Sequence, residues 1–397
     1  MAKVLTVGLP VMRKERGERR AFLPSFVRRL GELGVQGVLE EGYGQGLGFT
    51  PLDYCQPGVK ARFASREEVY GQDLVVVLRA PEAEDLRRMK AGASLLSMLH
   101  YDTRPRLARE IAERGIKSYS LDSIADDNDN RIVVTYELTA GAGVREAFRQ
   151  MALRRPDFYS PSRGPVRVTI LGMGHLGVQA GRASFAMGEE CIKAKVQASG
   201  ARGVIVTYLE REITGDRDVA NRVLQSTDLL IDATKRQDPT QYVIANSQVG
   251  AMPGESIILD LTADPYDTSV DPIQVKAVEG IPTGDLDKYV FDVDDPIYRR
   301  IPSGVETLHR RVVVSCNAWP GVTPLECMKV YEDQLIPLIA LICRRGRMRR
   351  DSSNPLERAL YRSTIEHFLG SRRWDDLTEP LGGARTKDSA RGDLIEM

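Results

Sequence analysis

The stretch PVRVTILGMGHLG, residues 165–177, decides how the rest of the chain is read. Val166, Val168 and Ile170 alternate with Arg167 and Thr169, and the run then turns apolar, as a strand does on entering a buried parallel sheet. Gly172, Gly174 and Gly177 follow at GxGxxG spacing, and VQAGRASFAM (178–187) suits a helix. In such a strand–turn–helix the first glycine makes a tight turn and the second lets the backbone approach a pyrophosphate. The third lets helix and strand pack closely, while the helix start offers N–H groups and partial positive charge. The spacing alone also suits a plain tight turn between strand and helix. In this context it predicts a dinucleotide site built from Gly172, Gly174, His175, Leu176 and Gly177.

Composition narrows what the remaining chain can be. With 397 residues it is long enough for two cores. Its 55 basic residues balance 55 acidic ones, which argues against nucleic acid or a membrane surface as a partner. No apolar run reaches ~18 residues and no signal-peptide pattern opens the chain, so a cytoplasmic protein is expected. The five cysteines are scattered without CxxC spacing, so they read as reduced thiols and no metal site is assigned.

Before the glycine turn, strands are expected at 3–9, 35–42, 73–79, 93–102 and 116–121, with helices from Pro24 and over 105–114. A long helix from about Ala140 to Leu153 leads into the glycine strand. Beyond it, 203–210, 227–234, 256–264 and 310–321 read as strands, and 322–341 as helix. This alternation predicts an α/β fold with parallel sheets. The basic run RRGRMRR (344–350) reads as a solvated patch, and the chain beyond about Gly370 as a disordered tail.

In open α/β sheets ligands sit at the C-terminal ends of strands, and Arg79, His100, Asp264 and Asn317 all fall there. His100 has a side chain that exchanges protons near neutral pH, although a histidine after an apolar strand can also be purely structural. Asp264, before Pro265, reads either as a turn residue or as a carboxylate beside a nicotinamide. Arg19, Arg20 and Arg79 are candidates for an anion clamp, since guanidinium groups hold carboxylates in a bidentate fork. Arg19 and Arg20 share one loop and do not easily face the same way, so one of them is expected in solvent.

These segments together resemble the alanine dehydrogenase / pyridine nucleotide transhydrogenase family, which also includes saccharopine and N5-(carboxyethyl)ornithine-type dehydrogenases. The resemblance rests on ERRAFLP (18–24), LEEGYGQGLGF (39–49), LRAP (78–81), SMLHYD (97–102) and YELTAGAG (136–143). It continues through the GMGHLG turn, ILDLTAD (258–264) and NAWPGVTP (317–324), in the family's order. It implies two Rossmann-like domains with a cleft between them: 1–135 plus 322–370 for substrate and catalysis, and 136–321 for the dinucleotide. It further implies that Arg19 binds a substrate carboxylate, His100 is catalytic, Asp264 lies by the nicotinamide, and Asn317 to Pro320 pack near it. Many members self-associate, so a homo-oligomer is expected.

Two departures stand out. The family's VKEP lysine is Arg79 here, a clamp that cannot shuttle protons. The acidic residue that NAD-using relatives carry about 20 residues past the glycines is displaced by an apparent insertion through 191–203. Tyr208 takes the place where that acid is expected, with Glu210 and Arg211 nearby: Glu210 would favour NAD, and Tyr208 with Arg211 would tolerate the 2′-phosphate of NADP. The function implied is NAD(P)-dependent hydride transfer at the Cα of an amino acid, between amino acid and 2-oxo acid. Ammonia or a second amino acid (an opine-type condensation) could supply the nitrogen, and a nucleotide-binding module without amino-acid turnover is a third reading.

Overall fold

The computed structural model describes residues 6–371 apart from Lys14, Gln237 and Ala263. The tail expected from residue 371 lies, beyond Ser371, outside the described residues. The first sheet holds β1 (Thr6–Leu9), β2 (Gln36–Glu40), β3 (Ala61–Ala64), β4 (Leu74–Arg79), β5 (Ser94–Met98) and β6 (Lys117–Ser120). Their order is β3-β2-β1-β4-β5-β6, and every pairing is parallel. The second holds β7 (Val166–Leu171), β8 (Val204–Leu209), β9 (Leu229–Asp232), β10 (Ile257–Asp260), β11 (Val290–Phe291) and β12 (Val312–Ser315), in the order β11-β12-β10-β9-β7-β8. Here the short edge strand β11 runs antiparallel to β12, and the other pairings are parallel, as expected. The sequence reading missed β3 and β11, both too short to show periodicity.

Each sheet reverses its winding direction beside its first strand: β1 lies between β2 and β4, and β7 between β8 and β9. Crevices at such points open at the C-terminal ends of the strands. That is where Leu9 and Arg79 of one sheet, and Leu171 and Asp232 of the other, come to an end.

Two helices join the halves. Tyr136–Arg154 leaves the first sheet and buries Ala140, Ala142, Gly143, Val144 and Ala147 in the core of the second. Its small residues set the spacing, since a Cβ on Gly143 would come within 2.6 Å of the Leu261 side chain. Pro324–Arg345 makes the return, placing Cys327, Met328, Leu335 and Ile339 in the first core with Val7, Phe26 and Leu78. The last described residues pack on β6, where Ser120 N–H donates to the Ser363 carbonyl at 2.8 Å and Ile365 and Phe368 are buried. Leu335 is fully buried. Leu335→Ala should therefore lower unfolding stability by about 2–5 kcal/mol in a urea titration. A change under about 0.5 kcal/mol, typical of surface substitutions, would show that this helix is not part of the first core.

Candidate active site

The glycine turn has the geometry its spacing requires. Gly172 has φ +87°, and a Cβ there would come within 3.1 Å of the Ala233 carbonyl oxygen. Beyond Gly174 the Cβ position is open, with nothing within 4 Å. At Gly177 a Cβ would stand 2.2 Å from the Gly172 carbonyl oxygen, so turn and helix touch through backbone alone. The helix His175–Phe185 starts after Gly174 with no side chain capping its first N–H groups. An open approach in front of free N–H groups is the cradle that a pyrophosphate fits. His175 stacks on Tyr136 at a ring separation of 5.7 Å, tying the turn to the first joining helix, and Leu176 packs against the second core.

Across the cleft, β5 delivers His100 as predicted. Its backbone is left-handed at φ +50°, a conformation that costs a non-glycine residue about 1–3 kcal/mol and gathers at functional sites. Two bonds hold it there: His100 N–H donates to Asp122 at 3.1 Å, and Leu99 N–H to the Ser120 hydroxyl at 3.1 Å. The same Asp122 carboxylate stands 3.4 Å from imidazole Nδ1. Such an arrangement fixes the ring and leaves Nε2 for chemistry. Burial lowers the imidazole pKa; Asp122 opposes this, while Arg104, Arg131 and Arg79 add to it. His100 is thus neutral, a base, at neutral pH. Sequence reasoning missed Asp122, whose one available signal was its place just past the end of β6.

The arginine clamp differs from expectation. Arg19, matched to the family's carboxylate-binding residue, is exposed, whereas Arg20 is buried. Arg20 is gripped by Glu18 through Nε at 2.9 Å and Nη2 at 2.5 Å. Burial works against its charge, but the Glu18 carboxylate outweighs burial and its pKa is raised. Arg79 is paired with Glu15, and Glu15 also accepts from Asn317 Nδ2 at 2.7 Å. One carboxylate thus links the end of β4 to the loop after β12. Arg79 Nε and Asn317 Oδ1 remain buried and without partners. Glu15 carried no motif, and Glu18, although it opens ERRAFLP, was given no role by the sequence.

In the second domain Asp264 does not stand free. It pairs with Arg236 at 2.7 Å, and Arg236 also donates to the carbonyls of Pro239, Gln241 and Val275. Tyr208 is likewise corrected. It points beneath the helix after the turn, its hydroxyl 3.4 Å from the Gly177 carbonyl, and a Cβ on Gly181 would collide with it. It is a packing residue there. Glu210 and Arg211 lie just beyond the end of β8, both exposed.

A buried ionic group beside the crevice also escaped sequence reading. Asp260, at the end of β10, accepts from Lys276 Nζ at 2.5 Å and the Ser315 hydroxyl at 2.9 Å. The register places Asp232 next to it, with one carboxylate oxygen buried and unpartnered. Burial and the Asp260 charge push Asp232 well above the usual carboxylate range, while Lys276 holds Asp260 below it.

Two predictions follow from these carboxylates. Asp122→Asn removes the one influence raising the His100 pKa, so the His100 titration seen by NMR should move to lower pH, and kcat should fall about 10²-fold. An unmoved titration would show that Asp122 does not act on the ring. For Asp232, the folded pKa is raised above the unfolded one. As pH climbs past the ordinary carboxylate range the unfolded chain releases its proton first, and stability falls. The Tm advantage of Asp232→Asn over the wild type should therefore grow between about pH 4 and about pH 7 and level off above it; a pH-independent difference would contradict a raised pKa.

Comparison with known proteins agrees with this geometry. Residues 9–140 match the family model "Alanine dehydrogenase/PNT, N-terminal domain". Alanine dehydrogenase of Bacillus subtilis is 22% identical over 370 residues, covering 89% of this chain and 90% of that protein. NAD(P) transhydrogenase subunit alpha of Haemophilus influenzae is 20% identical over 360 residues, covering 86% of this chain but only 66% of the relative. Among solved structures, an L-alanine dehydrogenase shares the fold with a TM-score of 0.69 at 19% identity, over 94% of this chain and all of that one. A transhydrogenase from Sinorhizobium meliloti gives 0.58 at 15% identity, over 85% and 94%. Residues 9–140 thus match the N-terminal domain of that family, and over most of its length the chain is similar to alanine dehydrogenases and transhydrogenases.

Proposed function

We propose that the protein is an NAD(P)-dependent oxidoreductase that interconverts an amino acid and its 2-oxo acid by hydride transfer at Cα. The observation that carries this reading is the Glu15 bridge from Arg79 to Asn317, which brings the C-terminal edges of the two sheets together. One edge holds the open glycine cradle, and the other a neutral histidine fixed by a carboxylate. The relatives named alanine dehydrogenase support the same substrate class. A dinucleotide whose pyrophosphate is held at Gly172, Gly174 and Gly177 would supply the hydride in the reductive direction. Arg79 would orient the substrate carboxylate once that carboxylate takes the place of Glu15. His100 would receive and return the proton on nitrogen or water through Nε2. Like many family members, the protein would act in the cytoplasm and self-associate.

A second reading, opine-type condensation, has a specific observation in its favour. An open cavity of about 670 Å³ lies between residues 12–19 and the loop Leu286–Asp287, lined by Glu15, Glu18 and Asp287 together with Arg13 and Arg19. A lining that carries both acidic and basic groups suits a zwitterionic second amino acid.

One assay separates the two. NAD(P)H oxidation is followed with pyruvate plus ammonia, then with pyruvate or 2-oxoglutarate plus ornithine or lysine. We expect turnover with ammonia; turnover only with a second amino acid would establish the condensation instead. In either case Arg79→Gln should raise KM for the oxo acid by about 10-fold or more, the scale of one charged hydrogen bond, leaving the dinucleotide Kd unchanged. A KM that does not move would remove Arg79 from the substrate site.

A further inference from the structure

The two sheets differ at one edge. The first has the order β3-β2-β1-β4-β5-β6, in which a third strand closes the outer side of the second, as in a complete doubly wound sheet. In the second sheet the chain passes from β8 to β9 through two short helices, Arg211–Gly215 and Arg217–Leu224. Among the described residues no strand lies outside β8. β8 is thus an edge strand at the place where the first sheet has an inner one.

Sheet edges are kept from pairing with other chains by shortness, by charge or by a cover. The other three edges follow that rule. β3 has four residues including Arg62, and β11 has two. β6 is covered by the bond from Ser120 to Ser363 and the bridge from Tyr119 to Thr364. β8 runs for six residues, VIVTYL, with neither a charge nor a proline, and keeps unbroken register with β7. On one face of the sheet Ile205 is 43% exposed, and Thr207 is exposed beside it. On the other face the helix His175–Phe185 leaves Val178 and Phe185 exposed, two turns apart. Burial raises the Tyr208 pKa and Arg182, on the same helical stripe, opposes it, so the stripe lies on the β8 side of the helix. Apolar surface therefore flanks the open edge on both faces.

The charges at the ends of β8 say what fits there. Arg202 precedes the strand and Glu210 follows it, both exposed. A second copy laid antiparallel about a two-fold axis at Val206 sets Arg202 against Glu210 of the partner subunit, and Glu210 against the partner's Arg202. A two-fold interface requires such self-complementarity, and opposite charges directly across two strands attract. We propose that β8 pairs antiparallel with β8 of a second copy of this chain, joining their second-domain sheets into one. This gives a surface to the self-association proposed above, and it stands or falls apart from the catalytic reading.

The test is the state of assembly of the full chain without nucleotide, by sedimentation equilibrium and light scattering. The variants are Ile205→Lys, Arg202→Glu, Glu210→Arg and the double reversal Arg202→Glu with Glu210→Arg, and far-UV circular dichroism verifies that each is folded. The proposal expects the wild type to associate and Ile205→Lys to raise the dissociation constant about 10-fold or more, since a lysine on an edge blocks pairing. Each single reversal should raise it about 10-fold, and the double reversal should return it to within about twofold of the wild type, because opposite charges face each other again. The charge variants carry the test alone if Ile205→Lys does not fold. A chain that stays monomeric up to about 100 µM would overturn both this surface and self-association, whatever other partner takes the edge. An assembly that ignores every variant, or a double reversal as weak as the single ones, would overturn the surface and leave self-association standing.

Discussion

Burying a guanidinium group at the mouth of a cleft is costly unless it is paired and hydrogen-bonded, and a carboxylate offsets that cost most directly. Arg79 meets this requirement with Glu15. Much of the rest follows from where Glu15 sits, on the loop after β1. To reach Arg79 at the end of β4 the loop must cross the C-terminal edge of the first sheet, where it also meets Asn317 of the other domain. Arg16 lies 3.7 Å from Asp287 of that domain, so the same loop straps the two halves at more than one point. The orientation of the domains and the charge of the cleft thus depend on the same few residues.

This arrangement sets terms for any ligand. A substrate carboxylate would compete with Glu15 for Arg79, and displacing Glu15 would release its bond to Asn317. Binding would then be coupled to the contact between domains without a separate lid. On the second domain the charges are locked differently. Asp260 is committed to Lys276 and Ser315, and Asp264 to Arg236. Under the proposed function the acid–base chemistry falls to His100 on the first sheet, and the second sheet supplies shape.

The sequence disclosed the parts that repeat. Apolar runs marked most strands, and the glycine spacing marked the turn because Gly172 and Gly177 answer to backbone contacts that only glycine permits, while Gly174 keeps the approach open. His100 and Arg79 were legible as polar groups ending apolar runs. Pairings between distant residues were not legible. Glu15, Glu18 and Asp122 matter through partners brought close by the fold, and neither the ERRAFLP motif around Glu18 nor the strand end before Asp122 names those partners. Arg19 and Arg20 show the limit of matching by position: one residue along an irregular loop separates a buried guanidinium from an exposed one. Tyr208 failed for a related reason, since strand alternation turned it to the helix face, and the end of β8 came one residue later.

The central claim is that hydride crosses this cleft onto the carbon that bears nitrogen. NADPH or NADH carrying deuterium at C4 of the nicotinamide, incubated with an oxo acid and a nitrogen donor, tests it directly. Mass spectrometry or NMR of the product should find the deuterium at Cα of the amino acid. Deuterium that passes only to a second dinucleotide, or that never leaves the first, would contradict the account.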